Sequence, residues 1–169
     1  MTPPTRNGVF SRMVLPFALV PPVMIPLAMR DHAAVYRLDP AGSNWEWIAL
    51  LVFVAELVSV TVVAGMLRLT TPAEALRPTR ARALAIAARA AAPLWTSAVV
   101  LAVPSLGALV AAHLLAHAIA LRRLYLDLRD ELRLDNDIQA LHITYMAYSV
   151  AAILWAPVFV MIFVSLSPG

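Results

Sequence analysis

Few residues in this sequence combine a reactive side chain with a spacing that chemistry could use. Glu56 is the first. It stands alone among apolar residues in VFVAELVSV. A charge at the mid-depth of a bilayer costs about 2.5–3.5 kcal/mol on insertion scales. Such a carboxyl must face other helices, hold a proton or find a partner. As a relay group it would pass a proton or an ion. As a structural group it would be a neutral acid, bonded to a hydroxyl or to a carbonyl of a broken helix. His113 and His117 come next. In HLLAH they stand four apart and share one helix face. Such a pair holds Zn²⁺ when a third ligand arrives from elsewhere. Glu56 would be that ligand if the second and fourth apolar segments touched. The pattern lacks the glutamate of a metalloprotease motif, and helix–helix hydrogen bonding is the structural alternative. Arg89, four residues before Pro93, either snorkels to an interface or pairs with Glu56. His142, Tyr145 and Tyr148 read as packing groups with wet polar ends.

Composition removes many other chemistries. The 169 residues include no cysteine, which excludes disulfides, thiolate metal sites and cysteine nucleophiles. All 13 basic residues are arginine, so no lysine can form a Schiff base or complete a P-loop. A net charge of +3, scattered along the chain, gives no nucleic-acid footprint. No cofactor and no catalytic set is expected.

The elements that must carry these residues are membrane spans. Hydrophobic residues make up 62% of the chain and charged ones 14%, with mean hydropathy +0.79; a soluble domain is about 45–50% apolar. A bilayer crossing takes about 20 apolar residues. The expected fold is a single all-α domain over 1–169, an integral membrane bundle of five transmembrane helices. The spans fall near 10–29, 45–67, 85–103, 105–125 and 138–164, with 1–9 as a flexible arm. Pro16, Pro21, Pro22 and Pro26 predict a kinked first span, and Pro93 and Pro157 are kink positions in the third and fifth. Pro104 and Gly107, in LAVPSLGALV, divide two helices at a tight turn. Counting arginines with the N-terminus inside gives eleven on the cytoplasmic side and two on the other. The positive-inside rule therefore predicts a cytoplasmic N-terminus and a C-terminus on the far side.

After the fourth span comes RRLYLDLRDELRLDND. It spaces Leu121, Leu124, Leu128 and Leu132 at helical intervals. This predicts a helix leaving the membrane with an amphipathic face, supported by the i, i+4 pairs Arg123–Asp127 and Arg133–Asp137. That face is either solvated and self-paired, or docks a partner or a lipid surface. Five acids among the arginines argue against simple attraction to anionic lipid.

The order of features resembles the Yip family, named for interaction with Ypt/Rab GTPases, and its prokaryotic branch in particular. The resemblance rests on RMVLPFALVPPVMIPLA, on APLWTSAVVLAVPSLGALVAAHLL and on ALHITYMAYSVAAILW. Pro93 and Trp95 match the start of the family's third span, and Pro104 and Gly107 its tight turn. The chain departs after the fourth span, where ALRRLYLDL places Asp127 near an expected glycine. The resemblance implies five spans, a cytoplasmic N-terminus, the inner (cytoplasmic) membrane and no catalytic residue. The GTPase partners of eukaryotic members do not carry over to a prokaryotic cell.

The expected function is accordingly a non-enzymatic scaffold or interaction subunit. It would pack against membrane lipid and against a membrane-protein partner or another copy of itself, with no nucleic acid involved. The alanines of 81–92 would permit close helix approach. The alternative is a small proton-coupled transporter or channel using Glu56 with His113 and His117; an intramembrane metalloenzyme is a third.

Overall fold

The computed structural model describes residues 5–36, 44–71, 77–132, 134 and 136–166. Its regular elements are all helical. Five stretches are long and apolar enough to cross a membrane: Arg6–Val35, Trp45–Thr70, Arg80–Ala102, Leu106–Leu132 and Asp137–Ile162. These are the makings of a multi-pass membrane protein.

The first stretch is one helical path whose pitch changes along its length, with right-handed helical dihedrals at its internal junctions. It comprises α1 (Arg6–Val9), a π-helical turn (Phe10–Val14), α2 (Leu15–Ala18), α3 (Val20–His32) and a 3-10 turn (Ala33–Tyr36). Pro16 falls in the first turn of α2 and Pro21 in that of α3. There a missing N–H costs little, because first-turn donors lack intrahelical partners anyway. Pro26 lies inside α3. The arm expected to be flexible over 1–9 is helical from Arg6, capped by the Thr5 hydroxyl, which accepts from the Gly8 amide at 3.2 Å. Residues 1–4 lie outside the described residues.

The remaining helices are α4 (Trp45–Thr70), α5 (Arg80–Ser97), α6 (Leu106–Leu132) and α7 (Asp137–Leu166). Their bounds differ from the expected spans: α4 and α6 run on to Thr70 and Leu132, and α5 begins at Arg80, behind a side-chain cap that stands outside the apolar run. Asn44 Oδ1 accepts from the Trp47 amide at 2.9 Å. Thr79 Oγ1 accepts from the Arg82 amide at 3.2 Å, and Asn136 Oδ1 from the Ile138 amide at 2.9 Å. Pro93 lies inside α5, which passes into a 3-10 stretch at Ala98–Ala102. Pro157 lies inside α7, which continues through it. The turn between α5 and α6 is as tight as expected. The Ser105 amide donates to the Val103 carbonyl at 2.7 Å, and the Ser105 hydroxyl accepts from the Ala108 amide at 3.2 Å. Gly107 is already in the first turn of α6, and a Cβ there would meet only the Ser105 hydroxyl, at 3.9 Å. The turn therefore rests on Pro104 and the Ser105 cap.

The helix α4 is the hub, packed on α3, α5 and α7, and α5 packs in turn on α6. Two core clusters result. In the first, Val9, Val14 and Ala18 meet Val60 and Ala64 of α4 and Ala83, Leu84, Ala85, Ala87 and Ala88 of α5, with Trp95. The alanines bring backbones close, as their run suggested. In the second, Leu124, Leu128 and Leu132 of α6 meet Leu67, Ile86, Ala140, Ile143 and Ala147. Leu124, Leu128 and Leu132 of the amphipathic face are thus neither solvated nor free to dock a partner, whereas Leu121 stays half-buried at its edge. The bundle covers the first three.

Twenty residues from Leu106 bring α6 to about Tyr125, so Leu128 and Leu132 pack beyond the hydrocarbon layer. Water competes for them there, and burying each contributes about 1.5–3 kcal/mol. Leu128 is fully buried and Leu114 is 66% exposed. Leu128→Ala should destabilise the protein by about 2–5 kcal/mol, read as an earlier midpoint of denaturant unfolding in detergent. Leu114→Ala should stay within about 0.5 kcal/mol of the parent.

Candidate intramembrane polar site

Glu56 and Ser59 lie three apart on α4, and both are buried. Among the described residues four buried polar side-chain atoms have no hydrogen-bond partner: Trp45 Nε1 at the start of α4, Glu56 Oε2, Ser59 Oγ and the Tyr148 hydroxyl on α7. The hydroxyls of Thr61, Thr70, Thr71, Thr96 and Thr144 behave differently. Each donates to a carbonyl four residues earlier, at 2.6–3.0 Å. Local back-bonding silences them and leaves Glu56, Ser59 and Tyr148 distinct.

The histidines join another surface. His113 Nδ1 lies 3.4 Å from the Ser97 hydroxyl of α5. His117 Nδ1 donates to the His113 carbonyl at 2.9 Å, which makes Nδ1 its protonated nitrogen. The two imidazoles stand edge to face at 4.4 Å, and His117 meets the Tyr148 ring at 5.8 Å. A polar seam therefore runs Ser97–His113–His117–Tyr148 across α5, α6 and α7. Ser97 was not singled out by sequence; its signal is its position ahead of the tight turn, mirrored by His113 behind it.

Glu56 is not part of that seam. The main contacts of α4 are with α3, α5 and α7, and those of α6 are with α5 and α7. The described residues hold no group of three His, Cys, Asp or Glu side chains placed to share a metal ion. Glu56 therefore does not join the histidines as a third metal ligand, although the second and fourth spans touch at Leu67.

Arg89 pairs with carboxylates of α6 rather than with Glu56. Its Nε donates to Asp127 Oδ2 at 2.9 Å, and its guanidinium also pairs with the Glu131 carboxylate. Arg82 Nε lies 3.3 Å from Glu131 Oε2, and Arg82 donates to the Glu131 main-chain carbonyl as well. Arg82 and Arg89 stand seven apart, and Asp127 and Glu131 four apart, so each pair shares a face. The expected Arg123–Asp127 pair is displaced by this interhelical one. Asp137 pairs with Arg129 at 3.1 Å; Arg133 lies outside the described residues.

No protein-family model, curated protein or solved structure matches the chain.

Two outcomes follow from this geometry. Removing Arg89 leaves Asp127 without its cation and Glu131 with Arg82 alone. Charge-assisted hydrogen bonds are worth about 1.5–3 kcal/mol, less when partly exposed, so Arg89→Gln should cost about 1–2 kcal/mol in detergent unfolding. Asp127→Asn in the same background should cost less than it does alone. Glu56→Met removes a buried oxygen that has no partner. It should raise stability by about 1–3 kcal/mol, read as a later thermal transition.

Proposed function

We propose that the chain is a non-enzymatic, multi-pass membrane scaffold or interaction subunit, related to the prokaryotic branch of the Yip family. The carrying observation is the uneven cover of its spans. The apolar windows of α4 and α5 are each 39% buried, whereas those of α6 and α7 are 17% and 11% buried. Leu114, Leu115, Ile153 and Val160 are all at least 60% exposed. Lipid alone can solvate such flanks, but they also suit a second membrane helix bundle. The groups with chemical potential support this reading too. Arg82, Arg89, Asp127 and Glu131 hold α5 to α6, and the histidines bridge neighbouring helices. In this reading the N-terminus is cytoplasmic, the C-terminus lies on the far side, and the protein resides in the inner membrane. The arginine asymmetry supports that orientation.

The chain has no cysteine, so a single introduced thiol reports its neighbours cleanly. Leu114→Cys and Ile153→Cys, oxidised in native membranes, should trap a discrete membrane-protein partner or a second copy. Val23→Cys on α3, also exposed, should not. A monomer that traps nothing from α6 or α7, and brings no partner through gentle purification, would defeat the proposal.

A proton-coupled transporter or channel is the alternative, and the unpartnered Glu56 Oε2 favours it. It requires that Glu56→Gln abolish a pH-dependent flux in vesicles while leaving the fold intact.

A further inference from the structure

We propose that the groove between α6 and α7, at the arginine-bearing end, binds one anionic phospholipid, with an acyl chain along the groove and the phosphate against Arg122. The groove is lined by Leu121, Arg122 and Tyr125 of α6 and by Leu141, Thr144 and Tyr145 of α7. Its volume of about 210 Å³ falls below the about 300–1,000 Å³ of a small-molecule pocket, which suits part of a flexible chain. The Thr144 hydroxyl is spent on the Ala140 carbonyl, at 2.8 Å. It therefore asks for no polar ligand, and apolar side chains dominate the lining.

The charge at the rim is not what the sequence suggests. Acids and arginines alternate along this segment, and a lipid phosphate would seem to meet no net attraction. The fold separates them. Asp127 and Glu131 turn towards Arg89 and Arg82 of α5. At 3.6 residues per turn they lie about 140° and 180° round the helix from Arg122. Asp137 is held by Arg129. Asp130 is exposed, but eight residues on, about 12 Å along the axis. That exceeds the Debye length of about 8 Å at physiological salt. Arg122 is exposed and makes no ion pair among the described residues. An anion at the rim therefore meets an uncompensated cation.

Depth agrees with charge. The hydrocarbon layer ends near Tyr125 by the same 20-residue count, so Arg122 extends its guanidinium to the headgroup region. Tyr125 and Tyr145 flank it at the level where amphipathic rings settle. A guanidinium fork matches phosphate oxygens in a bidentate manner. A zwitterionic headgroup also carries phosphate, so the site's preference comes from net charge. One basic residue near the surface then makes an anionic lipid bind about fivefold tighter.

The test is native mass spectrometry of the full chain in mild detergent. It is titrated with palmitoyl-oleoyl phosphatidylglycerol, with phosphatidylcholine of the same chains, and with inorganic phosphate. One phosphatidylglycerol should bind about fivefold tighter than phosphatidylcholine. Arg122→Gln should erase the difference, while Arg122→Lys and Arg123→Gln keep most of it. Leu141→Trp, which fills the groove, should weaken both lipids. Equal binding of the two lipids by the parent protein would overturn the proposal, as would a preference that survives Arg122→Gln. An equal loss in Arg123→Gln would mean diffuse attraction rather than a site. Displacement of the lipid by inorganic phosphate would mark a soluble-anion site and also defeat it.

Discussion

Two partly exposed arginines on one face of α5 are held by anions of the neighbouring helix. Such charge-assisted hydrogen bonds are stronger than neutral ones, although solvent screens them in part. Asp127 and Glu131 supply those anions from α6. The contact sets the register of the hairpin. A slip of one turn would strand Arg82 or Arg89 against leucine or alanine. With the register set, the leucine face of α6 meets Leu67 of α4 and the first turns of α7, and His113 arrives beside Ser97. The tight turn at Pro104 makes this ionic clasp efficient. So short a connection leaves little loop entropy to oppose pairing.

The clasp also changes what the rest of α6 presents. Carboxylates drawn inward towards α5 no longer screen the opposite side of the helix. One set of charges thus works twice, holding two helices together and leaving an unbalanced outer face. Elsewhere the fold disposes of polarity locally, through threonine hydroxyls bonded to their own helices. Against that background a carboxyl oxygen without a partner on the central helix α4 is an exception, and an expensive one.

The number of spans, the tight turn and the alanine-mediated packing were legible in the sequence, because length, hydropathy and residue size are local properties. Helix ends were less so. They depend on caps such as Thr79 and Asn136, which stand outside the apolar runs. The leucine face was visible as a pattern, but periodicity identifies a face without naming what covers it. Glu56 and the histidine pair were found as residues but do not form a three-ligand site, since nothing in the spacing says that α4 and α6 meet at Leu67 rather than at the level of Glu56. The arginine clasp was legible in principle. Reflecting the chain about the turn near Gly107 carries Arg82 and Arg89 close to Glu131 and Asp127. Reading i, i+4 pairs within one helix hid it.

Both core clusters gather the arginine-bearing halves of the helices, while α6 near Leu106–Leu115 and α7 beyond Ala151 are largely bare. Cooperative stability follows buried contacts, so the molecule should not open uniformly. Amides of α6 around Leu128 and of α7 around Ile143 belong to the slowest-exchanging unit. Those near Val110 and Val160 depend on the surrounding lipid for their protection. A thinner bilayer would loosen one end of the bundle and leave the other intact, making the protein in effect a rigid plug with a compliant rim.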